Sequence, residues 1–252
     1  MRFSIITTFY NAESTIKDTI ESIKAQKFSD YEYILIDGLS TDSSLDIAIK
    51  ETEGMSNIKI ISEKDKGIYD GMNKGIKIAE GEIIAILNAD DYFEPEALSV
   101  IDDHFRNHSC DILAATTRKV STDKTTLIEP LRSSLKKLSP SNPAIHHPSL
   151  FVKRSVYESV GDFSLKYKIS ADFDFISRAI NADVVVSYVD DITTNMRIGG
   201  VSDTIRFHTT KNLEHLSIGN KNIKSKAEKY RFYLYVFKKY IYGILKYSGL
   251  VK

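Results

Sequence analysis

An α/β fold built on a mostly parallel central sheet flanked by helices is predicted by three observations. In the first 110 residues, apolar runs rich in Ile and Val alternate with amphipathic segments, the pattern of strand and helix units wound around a buried sheet. Polar residues follow those runs directly, at the strand ends where open α/β sheets bind ligands. Finally, 252 residues with 42% hydrophobic content suffice for one large or two small domains with a sizeable core.

Each element has its own signature. Phe3 to Phe9 reads as a buried strand, and Asn11 is placed to cap a helix whose inner face carries Ile16, Ile20 and Ile23. Tyr31 to Ile36 is a second strand, ending at Asp37. The polar run Gly38 to Asp42 then supplies turn and cap residues for a helix containing Leu45 and Ile49. Ile58 to Ser62 is a third strand; Ile68, Met72 and Ile76, at steps of four, predict a helix after Lys66 and Gly67. Gly81 precedes a fourth strand, Ile83 to Leu87, and Pro95 opens a helix at its tolerated first-turn position.

From about Asp111 the pattern changes to shorter strands around a Thr122, Asp123, Lys124 turn, which predicts a smaller mixed region. A proline-punctuated loop, residues 139 to 148, leads into a strand at Ser149 to Lys153. A helix near Ser155 to Val160, another starting near Asp172, a strand at Val184 to Val189 and a Gly199, Gly200 loop follow. The expected organisation is a domain over 1–220, in halves 1–110 and 111–220, with a helical tail over 221–252.

Charge is balanced overall but segregated. With 34 Lys and Arg against 34 Asp and Glu there is no strong field to recruit nucleic acid. The tail, however, carries nine Lys or Arg and one Glu, interleaved with Tyr230, Phe232, Tyr233, Tyr235, Phe237, Tyr240, Tyr242 and Tyr247. That composition suits a helix at an anionic membrane interface, and equally a helix packed on the acidic remainder or on a second subunit. The single cysteine, Cys110, excludes an internal disulfide, and neither a cleavage signal nor an apolar run of about 18 residues is present. A cytoplasmic protein is expected, with peripheral attachment to the inner membrane face as the tail's variant.

The residues with the most chemistry lie at the strand ends. Asn88, Ala89, Asp90 and Asp91 follow the fourth strand, and hard carboxylate oxygens there suit Mg²⁺ or Mn²⁺ shared with a phosphate, the alternative being an Asx turn. Thr7 to Asn11, then Asp37, then Glu63 to Lys66 occupy the same edge. Asp37 can accept from a base or ribose, Tyr10 can stack, and Lys66 can neutralise phosphate. Neither a GxxxxGK[ST] loop nor a GxGxxG turn is present, so metal must carry much of the phosphate binding.

Four of these runs together resemble the family 2 inverting glycosyltransferases of GT-A type, whose fold has a Rossmann-like, mostly parallel sheet. They are Ile5 to Asn11, Ile36 to Asp42, Asp65 to Gly75 (Asp-Lys-Gly-Ile-Tyr-Asp-Gly-Met-Asn-Lys-Gly) and Leu87 to Asp91. The resemblance spans about residues 3–205. It implies that 1–110 binds a nucleotide sugar and 111–220 the acceptor, with Thr8, Asp37 and Lys66 lining the nucleotide site and Asp70, Asn73 and Lys74 near the diphosphate or donor sugar. Asp70 and Lys74 also read as an ordinary helix pair. Asn88 stands where the family has Asp, which moves the metal to Asp90 and Asp91. Ala171 and Asp172 fall on the family's acidic motif, its first Glu replaced, so Asp172 is the implied catalytic base, with Asp174 in reserve; a helix cap would also explain Asp172. His146 and His147 lie where relatives line the acceptor pocket, or form a surface pair, while His208 reads as structural.

The implied reaction is inverting, metal-dependent transfer of a single sugar from a nucleotide diphosphate sugar, UDP-linked by expectation. The acceptor is a hydroxyl of a glycan or lipid-linked glycan in cell-surface polysaccharide synthesis. Processive synthases of the family use a Trp-containing motif and membrane spans, and Trp is absent here. The alternatives are a non-catalytic sugar-nucleotide or glycan binding module and, with no glycine-rich basic loop at Thr8 to Ser14 to support it, a nucleotidyltransferase.

Overall fold

The structure, a computed structural model, describes residues 1–121, 126–129, 147–198 and 205–247. Three βα units open the chain. They are β1 (Phe3–Phe9) with α1 (Ile16–Lys24), β2 (Tyr31–Asp37) with α2 (Ser44–Glu51), and β3 (Ile58–Ser62) with α3 (Ile68–Ile78). Then come β4 (Ile83–Ile86), β5 (Tyr92–Phe93), α4 (Ala97–Asn107), β6 (Ile112–Val120) and β7 (Thr126–Glu129). A 3₁₀ turn at His147–Ser149 leads into β8 (Leu150–Lys153), α5 (Arg154–Val160), α6 (Ala171–Asn181), β9 (Val186–Arg197), α7 (Ile205–Asn222) and α8 (Lys226–Tyr247).

These strands form one sheet in the order β3-β2-β1-β4-β8-β6-β9-β5, with β7 paired to β6. β3, β2, β1 and β4 are parallel, β8 is antiparallel to both neighbours, and β6 and β9 are parallel to each other. The register sets Phe9 beside Asp37 and Asp37 beside Ser62. The carboxyl ends of the three strands are therefore level, and their polar sequels emerge on one edge.

Alternation along the strands feeds two cores. Ile6, Ile34, Ile36, Ile84 and Ile86 point toward α3, α5, α6, α7 and α8, while Phe3, Ile5, Tyr33, Leu35 and Ala85 point toward α1, α2 and α4. Burying each large aliphatic side chain contributes about 1.5–3 kcal/mol. The α3 helix lies close against β1 because residue 75 is glycine: a Cβ there would stand 2.4 Å from Ile6 Cγ2.

The structure departs from the sequence reading in several places. The first helix starts at Ile16, so Asn11 does not cap it; Asn11 is left-handed (φ 52°) and its Oδ1 accepts from the Thr41 N–H at 2.8 Å. Ile49 and Ile68, expected on helix faces with apolar partners, are 53% and 47% exposed. The strand expected at Val184 to Val189 runs on to Arg197, because pairing with the long β6 extends it through polar residues with no apolar alternation. The Thr122 to Lys124 turn, residues 139–146 with His146, and Gly199 to Ser202 lie outside the described residues.

Candidate active site

At the β1 end, Thr8 is buried and its Oγ1 has no hydrogen-bond partner among the described residues, whereas Tyr10 is 60% exposed. A buried hydroxyl without a partner is costly in a closed core and acceptable where a ligand completes it. Asp37 is fully buried. Its Oδ1 accepts from the Ser40 Oγ at 2.6 Å and its Oδ2 from the Ser62 Oγ at 2.7 Å. The Asp37 carboxylate thus holds the loops after β2 and β3 in place as they leave the sheet.

The next loop is braced by two aspartates. Asp65 Oδ1 accepts from the Gly67 N–H at 2.9 Å, and Asp70 Oδ2 reaches back from α3 to the Lys66 N–H at 2.9 Å. Gly67 has φ 117°, a conformation that favours glycine, so the loop turns sharply and leaves Lys66 exposed. Lys74 does not pair with Asp70 as the helix-pair reading allowed. Its Nζ donates to the Lys64 carbonyl at 2.7 Å and lies 2.9 Å from Glu63.

Asn73 and Tyr69, four residues apart and so on one face of α3, join this half of the site to the other. Asn73 is buried and grips Phe163 twice, donating to its carbonyl at 2.9 Å and accepting from its N–H at 3.0 Å. That use of both amide atoms moves Asn73 from the donor site, where it was expected, to a positioning role. The Tyr69 hydroxyl lies 2.8 Å from the Ile169 carbonyl and 3.2 Å from Asp172 Oδ1. Burial, with Asp172 beside it, pushes the Tyr69 hydroxyl well above its ordinary pKa, so it stays protonated.

Asp172 occupies the first turn of α6, where the helix dipole favours a carboxylate. Its Oδ1 also accepts from the Phe173 N–H at 2.8 Å, and among the described residues its Oδ2 has no hydrogen-bond partner. It lines a narrow cavity with Ile86, His147, Val152 and Phe163. Burial lowers the His147 pKa, with Asp172 acting in the opposite direction, so the ring is neutral at pH 7. The expected reserve, Asp174, is elsewhere: fully buried, it binds Arg178 Nε at 2.8 Å and faces Lys221 Nζ at 3.7 Å. One helical step of two residues turns its side chain away from Asp172, so Asp174 is removed from the acceptor side.

The turn after β4 separates the two aspartates expected to bind metal. Asp91 is 1% exposed and both its oxygens are engaged, Oδ2 by the Asn88 amide at 2.9 Å and Oδ1 by the Arg197 N–H at 3.1 Å. Burial, reinforced by Asp90, pushes it up to about 7. Asn88 is therefore the partner of Asp91. Asp90 is half-buried, its pKa raised by burial, and among the described residues no side chain hydrogen-bonds its carboxylate. Its backbone carbonyl takes Arg197 Nη1 at 3.0 Å, Arg197 also pairs with Asp18, and the Thr19 hydroxyl secures the carbonyls of Ala89 and Asp91. Among the described residues no three His, Cys, Asp or Glu cluster. Asp90, with its carboxylate unengaged by other side chains among the described residues, would be the residue to offer a hard oxygen to a divalent cation here; Asp91, with both oxygens engaged, does not fit as a second.

Comparison with known proteins identifies the family. The profile of Glycosyl transferase family 2 matches residues 4–172. The chain belongs to that family. A PGL/p-HBAD biosynthesis glycosyltransferase of Mycobacterium bovis is 31% identical over 209 residues, covering 81% of this chain and 80% of that protein. Among solved structures, S. aureus TarS 1-349 in complex with UDP-GlcNAc superimposes with a TM-score of 0.72 at 19% identity, over 95% of this chain and 72% of that one. The mannosyltransferase PcManGT of Pyrobaculum calidifontis, in complex with GDP-Man and Mn²⁺, gives 0.72 at 15% identity over 100% and 76%. The protein is a glycosyltransferase with the GT-A fold.

Tyr69 and Arg197 contact candidate site residues and were not singled out from the sequence. Tyr69 had a signal, its spacing of four from Asn73 within the most specific motif. Arg197 had none, since its neighbours Asp18 and Asp90 are brought to it only by the pairing of β9 with β5 and β6.

Proposed function

We propose that this glycosyltransferase transfers a single sugar, with inversion, from a nucleotide diphosphate sugar to a hydroxyl of a glycan or lipid-linked glycan in cell-surface polysaccharide synthesis. The observation that carries the reading is the state of Asp172. One oxygen accepts from the Phe173 N–H and lies 3.2 Å from the Tyr69 hydroxyl, and the other has no hydrogen-bond partner among the described residues, the condition of a general base held for a substrate hydroxyl. Asp172 Oδ2 takes the acceptor hydroxyl's proton as that oxygen bonds to the anomeric carbon. The bond from that carbon to the diphosphate breaks on the opposite face, and the diphosphate leaves with the electron pair.

Asp90 is the residue that would hold a divalent metal, Mn²⁺ or Mg²⁺. When bound, the ion supplies positive charge for the departing diphosphate. Exposed Lys66 adds charge at the same edge, preorganised by the Asp65 and Asp70 braces. Tyr10 stacks on the base, Thr8 Oγ1 hydrogen-bonds the nucleotide, and His147 forms the neutral wall of the acceptor pocket. A uridine nucleotide is the preferred donor. TarS was solved with UDP-GlcNAc and PcManGT with GDP-Man, so both nucleotides belong in the test.

Calorimetric titration of UDP and GDP, each with and without Mn²⁺, checks the donor half. The expected result is Mn²⁺-dependent binding of UDP that Asp90→Asn abolishes. Asp172→Asn should bind UDP as the wild type does and lose transfer by a factor of about 10²–10⁴, the share a general base contributes. Loss of UDP binding in Asp172→Asn would put Asp172 in the donor site and overturn its assignment as the base.

A further inference from the structure

The outward face of α8 carries a stripe that the fold does not use. Tyr230, Leu234, Phe237, Ile241 and Ile244 are 65%, 43%, 63%, 40% and 45% exposed. Their spacing of four, three, four and three residues keeps them on one line of the helix. The opposite line is already committed: Phe232 and Val236 are buried. Phe232 fits against Gly219 of α7, where a Cβ would stand 2.2 Å from its ring. Thus α8 is apolar on two sides, and only one is covered.

The charges beside the stripe decide what covers the other. Arg231 and Lys238, seven residues apart, are exposed along one border, with Lys226 exposed at the start of the helix. Tyr235 and Tyr242, also seven apart and 50% and 52% exposed, lie beyond them. Glu228 is the one acidic residue of α8. A second copy of this helix would set several cations against several cations, with one Glu228 from each copy to offset them, which opposes pairing. An anionic lipid surface meets both features at once, the apolar stripe entering the acyl boundary and the cations and tyrosine rings staying among the headgroups. No helix among the described residues is long and apolar enough to cross a membrane.

We propose that α8 is an interfacial helix that docks the enzyme on an anionic membrane through Tyr230, Leu234, Phe237, Ile241 and Ile244, flanked by Arg231 and Lys238. The docking deepens the proposed function, on which it rests only for its purpose. Phe232 packs against Phe173, ring centroids 6.1 Å apart, and Phe173 follows Asp172. Glu214 of α7 accepts from the N–H groups of Lys168, Ile169 and Ser170 at 2.7, 3.1 and 3.0 Å. The membrane-facing helix is therefore braced to the helix that bears the base, and docking would bring the acceptor pocket to a lipid-linked substrate.

The test is co-sedimentation of the full chain with phosphatidylcholine vesicles, with and without phosphatidylglycerol, at low and high salt. It needs neither donor nor acceptor, so its result stands apart from the catalytic reading. Binding is expected only to vesicles containing phosphatidylglycerol, reduced by salt. Leu234→Glu combined with Phe237→Glu should reduce it at least tenfold, and Arg231→Gln and Lys238→Gln about fivefold each. These side chains are exposed, so an unchanged melting temperature and far-UV circular dichroism spectrum will report that the variants are folded. Absence of binding by the folded wild type, or equal binding by the Leu234 and Phe237 variant, would overturn the proposal. So would a dimer in light scattering that the same variant dissociates, since a second copy would then own the stripe.

Discussion

Among the described residues, Tyr69 is the one tyrosine that meets the proposed base, Asp172. The residue before Asp172 is Ala171, fully buried against the core and without a polar side chain to offer it. The Tyr69 hydroxyl reaches Asp172 Oδ1 instead, from a helix one hundred residues earlier. Its removal should loosen the base without removing it. Tyr69→Phe keeps the ring's packing against Phe163, at 5.5 Å between centroids, and loses only the hydroxyl. We expect kcat to fall about tenfold with the donor KM unchanged, measured by steady-state kinetics; a rise in donor KM with kcat intact would make Tyr69 a binding residue instead. Asp90 and Asp91 show how little adjacency means at this scale. Asp91→Asn should lower the melting temperature while leaving Mn²⁺-dependent UDP binding in place, the reverse of Asp90→Asn, because the buried side chain is a brace and the half-buried one the proposed ligand.

Two contacts between elements govern the geometry of the second half. Asn73 of α3 fastens the segment before α6 by pairing with both backbone groups of Phe163. Asn73→Ala leaves a buried N–H and C=O unpaired and should cost about 2–4 kcal/mol in denaturant unfolding. Asn73→Asp should be no milder, because its carboxylate still accepts from the N–H but sets a buried negative charge against the Phe163 carbonyl. The second contact joins α7 to α6. His215, packed edge-on against Phe173 at 4.7 Å, is lowered to about 3 by burial, with Lys239 and Lys211 adding to the shift. Its ordinary value near 6.5 applies in the unfolded chain, so between those limits the unfolded state binds the extra proton. Stability from this group is complete above about pH 6.5 and declines as pH falls toward 3. His215→Leu should remove that slope, so that the wild type loses up to about 1.4 kcal/mol per pH unit relative to the variant below pH 6. Equal slopes in melts from pH 7 to 5 would place the ring in water.

For the whole molecule, the proposed donor side lies at the carboxyl edge of the parallel strands and the proposed base on α6, and the Tyr69 hydroxyl of α3 spans the two. The strand ends were legible in the sequence, since Ile and Val runs followed by Asp37, Asp65 and Asp90 mark both a strand and its functional end. Helix faces were legible where burial is one-sided, as for Ile16, Ile20 and Ile23 of α1. The long β9 was not: its inner residues Thr193, Thr194 and Asn195 are buried polar groups, Thr194 and Asn195 bonded to Pro148 and Glu94 of distant segments, and no hydrophobic pattern announces them. The cationic aromatic tail was recognised as amphipathic, but whether its second apolar side was covered depended on packing against α7.

The sequence by itself determined the α/β class, the positions of the parallel strands, the four motifs and the family, because each is written in local periodicity or in spacing along the chain. Only the tertiary structure decided the division of labour within those motifs. Asp90 and Asp91, or Asp172 and Asp174, are equivalent as letters, and they differ only in which side of the backbone meets a buried partner. Arg197 satisfies Asp91 from a distant strand, Arg178 and Lys221 claim Asp174, and Tyr69 holds one oxygen of Asp172. A carboxylate becomes a brace or a working group according to whether the fold has already satisfied it, and that is a property of contacts distant in sequence.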